Sequence, residues 1–353
     1  MADRLSLPVG AADALKTRMR AFARCAWSAL AVNVLVIAWG ALVRATGSGA
    51  GCGRHWPLCD GQVLPHSPGV EMAIELTHRT TSGLALLLVV ALFLWARRVL
   101  PRGHAARAAA GAALALILLE ALLGAGLVLF GWVAKDASAG RGWAMALHLA
   151  NTFLLLGALA LTAGWSGTGE GQVRIRPGGL SRLLACSLAA VLLVGMSGAV
   201  AALGDTLFPA VSFTQGFADE LAGGAHLLLR LRVLHPFTAL VAAALLVVTA
   251  AAAARERDDR VQQAALLLAV LVLLELVAGV ANLLLLAPVW MQLVHLVLAD
   301  ATWIALVLMG GWSMVGEAEP ARAIGGPLGI LREWQAEATR REPRLPPRPR
   351  PRS

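Results

Sequence analysis

Residues 109–132 read AAGAALALILLEALLGAGLVLFGW, a run whose only ionisable side chain is Glu120. As a helix it would extend about 36 Å at about 1.5 Å per residue, more than the roughly 30 Å hydrocarbon core of a bilayer. Such a run is a membrane span and not the core helix of a soluble domain. Seven further apolar runs of similar length occur at about 26–46, 72–95, 144–164, 181–203, 234–254, 261–287 and 290–314. The whole chain is 58% hydrophobic and 14% charged, where a soluble domain carries about 25% charge. The sequence therefore predicts an all-α, polytopic membrane protein of eight transmembrane helices. Its polar, basic start runs into a full-length span without a clear cleavage site, so no separate signal peptide is expected.

The opening stretch also reveals a duplication. Its LLEALLG at 118–124 returns as LLELVAG at 273–279, 155 residues on. Gly40-Ala41-Leu42-Val43 resembles Gly198-Ala199-Val200, and Trp56-Pro57 has a weaker echo in Phe208-Pro209. Offsets clustered near 155 indicate a repeated four-helix unit, and an even number of helices per unit makes the copies parallel. The expected organisation is a cytoplasmic segment 1–25, a first four-helix bundle 26–164, a Gly-rich linker 165–180, a second bundle 181–314, and a disordered Pro- and Arg-rich tail 315–353.

The net charge of +9 could suggest nucleic acid, but its distribution argues otherwise. Arginines cluster in alternate connections, at 18–24, 97–107, 174–182 and 255–260, and again in the tail. By the positive-inside rule both termini are cytoplasmic, and loops 47–71, 133–143, 204–233 and 288–289 face outward. The expected setting is the bacterial cytoplasmic membrane, with the lipid bilayer and not nucleic acid as the partner.

Four histidines fall in four separate spans: His78, His148, His235 and His295. His78 and His235 are 157 residues apart, and His148 and His295 are 147 apart. Each lies near the outward start of its span, within roughly 10 Å of the boundary at about 1.5 Å per residue. Polar side chains in lipid are costly and mark function, so the repeat predicts two bis-histidine sites. Imidazole is a standard axial ligand of heme iron, whereas zinc would call for four converging ligands. His55, His66, His104 and His226 read as ordinary surface residues. Glu75 shares a helical face with His78 and could relay protons or stabilise a developing cation. Glu120 and Glu275 are repeat-related and either bond between helices or carry protons. Arg44, Arg79, Arg230 and Arg232 lie on the outward side against the charge rule, where arginine forks suit anionic propionates. Cys52 and Cys59 in the first outward loop fit a disulfide, as a staple or a redox pair. Cys25 and Cys186 read as packing residues.

LVRATGSGAGCGRHWPLC, IELTHR, LHLANTF, SGAVAALGDTLFPA, RLRVLHP and QLVHLVLAD together resemble the heme A synthase family, over about residues 26–314. The resemblance implies oxidation of the C8 methyl of heme O to a formyl group, giving heme A for terminal oxidases. It implies a resident heme b on His235 and His295, heme O as substrate on His78 and His148, and assistance from Glu75. Implied partners are heme O synthase and an electron-transfer protein, with a homo-oligomer as a further expectation. Some relatives carry a second cysteine pair in the third outward loop; this chain has none there. The competing readings are a di-heme electron carrier and a heme-delivery protein. Glu75 beside only the first pair favours an enzyme.

Overall fold

A computed structural model of the chain describes residues 9–166, 177–222 and 224–314. The expected tail 315–353 and most of the linker 165–180 lie outside the described residues. The helices are α1 (Val9–Ala45), α2 (Val70–Val99), α3 (Ala105–Leu129), α4 (Ala139–Trp165), α5 (Gly179–Leu207), α6 (Phe213–Leu221), α7 (Leu227–Ala253), α8 (Asp259–Leu284) and α9 (Val289–Met314). All but the short α6 are long and apolar enough to cross a membrane. This is an integral, multi-pass membrane protein.

Several helices start before the apolar runs do, because capping and not hydropathy decides where a helix begins. The Ser138 hydroxyl accepts from Arg141 N at 3.2 Å to open α4, and Asp258 accepts from Arg260 N at 2.8 Å to open α8. His226 accepts from Leu228 N at 3.3 Å and so starts α7 well ahead of residue 234. As a result Arg230 and Arg232 lie in the first turns of α7, and the expected outward loop 204–233 also contains α6. His104 is not a surface residue. It is buried, and its Nδ1 accepts from Ala106 N at 3.2 Å to cap α3. Cys186 is exposed on α5 and so does not serve internal packing.

The helices form two rings. In the first, α1 packs on α2, α2 on α3, α3 on α4, and α4 back on α1. The second repeats the arrangement with α5, α7, α8 and α9. They join where α4 packs on α5 and α9, and where α1 packs on α9 and α5. Lipid offers no hydrophobic drive between helices, so close packing of small residues and interhelical hydrogen bonds must hold them. The buried core is accordingly rich in alanine.

The α4–α9 contact is reciprocal. Trp165 Nε1 donates to Gly311 O at 3.1 Å, and Trp312 Nε1 donates to Gly164 O at 3.4 Å. Trp165 and Trp312, and likewise Gly164 and Gly311, are related by the 147-residue offset that relates His148 to His295. Nearer the histidines, Phe153 and Trp303 stack with ring centroids 5.4 Å apart, and Trp303 Nε1 donates to Phe153 O. A second tie is Arg44 at the end of α1. Its fork donates to Ala202 O and Thr206 Oγ1 on α5, each at 2.7 Å, and to Gln292 Oε1 on α9 at 2.8 Å.

Candidate functional site: two histidine pairs

The even-numbered spans, α2, α4, α7 and α9, all start at the end that carries the Cys52–Cys59 loop. His78, His148 and His235 sit eight or nine residues into their helices, about 12–13 Å along the axis. His295 sits six residues into α9, about 9 Å along. The first three lie further along their helices than a count from the apolar runs gives, because their helices begin earlier. All four rings are half-buried, held by the bundle yet open enough to receive a group.

Each half builds its pair from four helices in the same way. The first helix contributes a glycine. A Cβ on Gly40 of α1 would come within 2.9 Å of His78 Cε1, and one on Gly198 of α5 within 2.9 Å of His235 Cε1. Only a bare backbone lets the imidazole lie so close. The second helix contributes His78 or His235. The third contributes a carboxylate and the fourth a second histidine. Glu120 Oε1 of α3 stands 3.3 Å from His148 Nδ1, and Glu275 Oε2 of α8 stands 3.0 Å from His295 Nδ1. Both contacts are at ion-pair distance without hydrogen-bond alignment, and neither Nδ1 has another hydrogen-bond partner.

The C-terminal pair is brought together with its rings edge-on: the His235 and His295 ring centroids are 6.3 Å apart and the planes cross at 75°. Ser197 Oγ donates to Val194 O at 2.9 Å and lies 3.1 Å from His235 Nδ1. Its remaining lone pair can accept from Nδ1–H, which would leave Nε2 as the bare nitrogen. His78 and His148 lie within electrostatic reach of each other, and Glu120 and Arg79 also bear on His78. The buried His78 Nδ1 has no hydrogen-bond partner.

Glu75 is nearly inaccessible, 3% exposed. Its Oε2 accepts from Cys52 N at 2.7 Å, and its Oε1 accepts from Arg79 Nε at 3.1 Å and Nη2 at 2.5 Å. Arg79 Nη1 donates to His55 O and Leu58 O at 2.5 and 2.6 Å. The disulfide Cys52–Cys59 is formed, so the cysteine loop is fastened to α2 one turn before His78. Gly51 permits the approach, since a Cβ there would come within 2.6 Å of the Glu71 and Met72 backbone.

The arginines expected to meet propionates largely hold protein groups. Arg44 and Arg79 do so as described, and Arg232 pairs with Asp205 at 2.9 Å and with Glu220, which ties α6 to α7. Arg230 is exposed near Glu220 on α7. Reading the sequence missed Arg141, which is buried and donates to Ala134 O and Asp136 O at 2.7 Å each. Its signal was an arginine inside the first turn of an otherwise apolar span.

Comparison with known proteins adds the family. The cytochrome oxidase assembly protein family (COX15-CtaA) matches residues 23–307. The chain belongs to that family. The match takes in both histidine pairs, Glu75, Glu120 and Glu275, both cysteines of the loop, six spans entire and most of the first and last. This family member is 51% identical over 286 residues to a Thermus thermophilus protein named protoheme IX farnesyltransferase, covering 80% of this chain and 47% of the relative. It is 47% identical over 98 residues to the heme A synthase of Alkalihalophilus pseudofirmus, covering 28% of this chain and 33% of that one. Over 108 residues it is 42% identical to the heme A synthase of Geobacillus kaustophilus, covering 30% and 34%. The chain thus spans about half the length of the Thermus relative and a third of the others.

Proposed function

We propose that this protein is a heme A synthase-like membrane oxidoreductase that converts the C8 methyl of heme O to a formyl group. In this reading His235 and His295 hold a resident heme b, and His78 and His148 receive heme O. The observation that carries it is the closely approaching His235–His295 pair. Two imidazoles bound to one metal through bonds of about 2 Å place their ring centres about 6 Å apart, against the 6.3 Å found. Among the described residues no third histidine, cysteine or carboxylate joins either pair to form a metal site. A metal held here by two imidazoles alone would need its remaining ligands to come with it, as a porphyrin would supply them. The relatives named heme A synthase support the same reading.

A bound heme b would supply one-electron transfer; the protein supplies orientation and charge. The Gly40 and Gly198 backbones set the planes of His78 and His235. The buried Glu75 carboxylate, held by Cys52 N–H and Arg79, stands one turn from His78, as a counter-charge to a cation developing on the substrate or as an acceptor of its proton. Arg44, Arg79 and Arg232 act first as clamps between helices and loops; propionates would share their donors. Alternate basic loops orient the histidine end outward with both termini cytoplasmic, and the disulfide agrees with an oxidising exterior. The Thermus relative is about twice as long as the matched region and carries a farnesyltransferase name. This supports a heme O-forming farnesyltransferase as partner, alongside an electron-transfer protein and a possible second copy of this chain.

A second reading, a di-heme electron carrier or heme-delivery protein, is favoured by one observation: both halves repeat the same glycine, histidine, glutamate and histidine. Co-expression with a heme O source in a host lacking heme A separates them. The enzyme yields heme A or its alcohol precursor on chromatography of extracted hemes; unchanged heme O beside a tightly bound heme b contradicts it. The glycine geometry makes a further prediction. Gly198→Ala should weaken heme b retention, measured as the heme-to-protein absorbance ratio after purification. Gly124→Ala, where a Cβ meets nothing within 4 Å, should leave the ratio unchanged.

A further inference from the structure

The geometry points to Glu120 and Glu275 as positioning residues that set the tautomer and electron density of His148 and His295. This rests on the heme reading above and assigns roles that the sequence left open. The two glutamates are 155 residues apart, each nine residues before the end of its helix, and each faces the histidine of the following span at 3.3 or 3.0 Å. The histidine nitrogen concerned is Nδ1 in both cases, buried and with no other hydrogen-bond partner.

A neutral imidazole has one N–H. With a carboxylate at Nδ1, the proton belongs there, and a small rotation of either side chain completes the bond. Nε2 is then the unprotonated nitrogen, free to bind a metal. A carboxylate acceptor also raises the basicity of the ligating nitrogen and locks the ring orientation. The opposing histidines lack a carboxylate there: His235 Nδ1 lies 3.1 Å from the Ser197 hydroxyl, with the Val194 backbone also bearing on the ring, and His78 Nδ1 has no hydrogen-bond partner. Each site therefore has one strongly donating imidazole, on α4 or α9, and one ordinary imidazole, on α2 or α7.

The two carboxylates are anchored differently. Glu120 is pinned by Asn151 Nδ2 at 2.6 Å and by the Thr152 hydroxyl, both on the helix that carries His148. Asn151 Nδ2 also donates to Leu116 O at 3.0 Å, which fixes α4 against α3. Glu275 has instead a second carboxylate nearby, the fully buried Asp300, neither of whose oxygens has a hydrogen-bond partner. The first site holds its carboxylate by two side-chain hydrogen bonds, whereas Glu275 Oε2 has no hydrogen-bond partner.

The test uses the full chain purified with its heme. Redox titration and low-temperature EPR of wild type, Glu275→Gln and Glu275→Ala report the electron density at iron. A less basic His295 should raise the midpoint potential and shift the low-spin g-values, most in Glu275→Ala and less in Glu275→Gln, which keeps an acceptor oxygen. If the alanine variant does not accumulate, the glutamine variant carries the same test. At the first site, titration with ferric protoheme of protein already holding its resident heme should show Glu120→Ala binding about 10- to 100-fold more weakly, with partial recovery in Glu120→Gln. Unchanged potential, g-values and protoheme affinity overturn the proposal. A wild type without any low-spin heme signal overturns the heme reading itself, a distinguishable result.

Discussion

Replacing His235 or His295 by alanine is expected to abolish the low-spin heme b spectrum of the purified protein. On the proposed reading each would supply one of the two protein ligands of a heme b, and among the described residues no third donor joins the pair. The 6.3 Å ring separation fits one iron held between the two imidazoles, which a single imidazole would not hold in the same way. The bundle itself should survive, because the α4–α9 crossing rests on Trp165, Trp312 and the Phe153–Trp303 stack and not on the histidines. Absorbance at the Soret band, normalised to protein, is the measurement. A full low-spin spectrum in both variants would refute the C-terminal site as the resident one.

Replacing Glu75 should have the other large effect. Losing a positioned acid, base or charge in such a reaction costs about 10²–10⁴-fold in rate, so Glu75→Gln should nearly eliminate heme A formation while heme b stays bound. The pairing with Arg79 and Cys52 N–H requires a control, since the carboxylate also fastens the cysteine loop. Arg79→Ala removes the pair and both loop carbonyl bonds but keeps the Glu75 carboxylate. If both variants lose the same activity, Glu75 acts through loop anchoring; if Glu75→Gln loses far more, its charge takes part in turnover. Product chromatography after co-expression reads both outcomes.

Much of this could be read from sequence because its signals are local and periodic. The eight spans follow from hydropathy, the duplication from LLEALLG and LLELVAG, and the histidine pairing from matched offsets. The rest depends on which faces of distant helices meet, which no local pattern carries. The likeness between Gly40-Ala41 and Gly198-Ala199 was visible, but the contact of each glycine with a histidine ring was not. Glu120 and Glu275 stood out as buried acids, yet their partners lie on the next span, 28 and 20 residues further along. Arg44 read as an anion ligand because its charge was conspicuous; its bonds to α5 and α9 emerge only when the two rings are packed. His104 and α6 were misread for a simpler reason. A histidine cap and a nine-residue helix leave little trace in hydropathy.

The two halves share a set of glycine, histidine, glutamate and histidine and differ in what surrounds it: a stapled cysteine loop, Glu75 and Arg79 by the first, Ser197, Pro236 and Asp300 about the second. The claim that they are unequal, one for substrate and one for cofactor, is tested most directly by the heme content of the double variant His78→Ala/His148→Ala, purified after co-expression with a heme O source. One heme b per chain with no heme A formed is the predicted result. Loss of heme b from this variant to the same extent as from His235→Ala/His295→Ala would contradict it, because the two sites would then be equivalent.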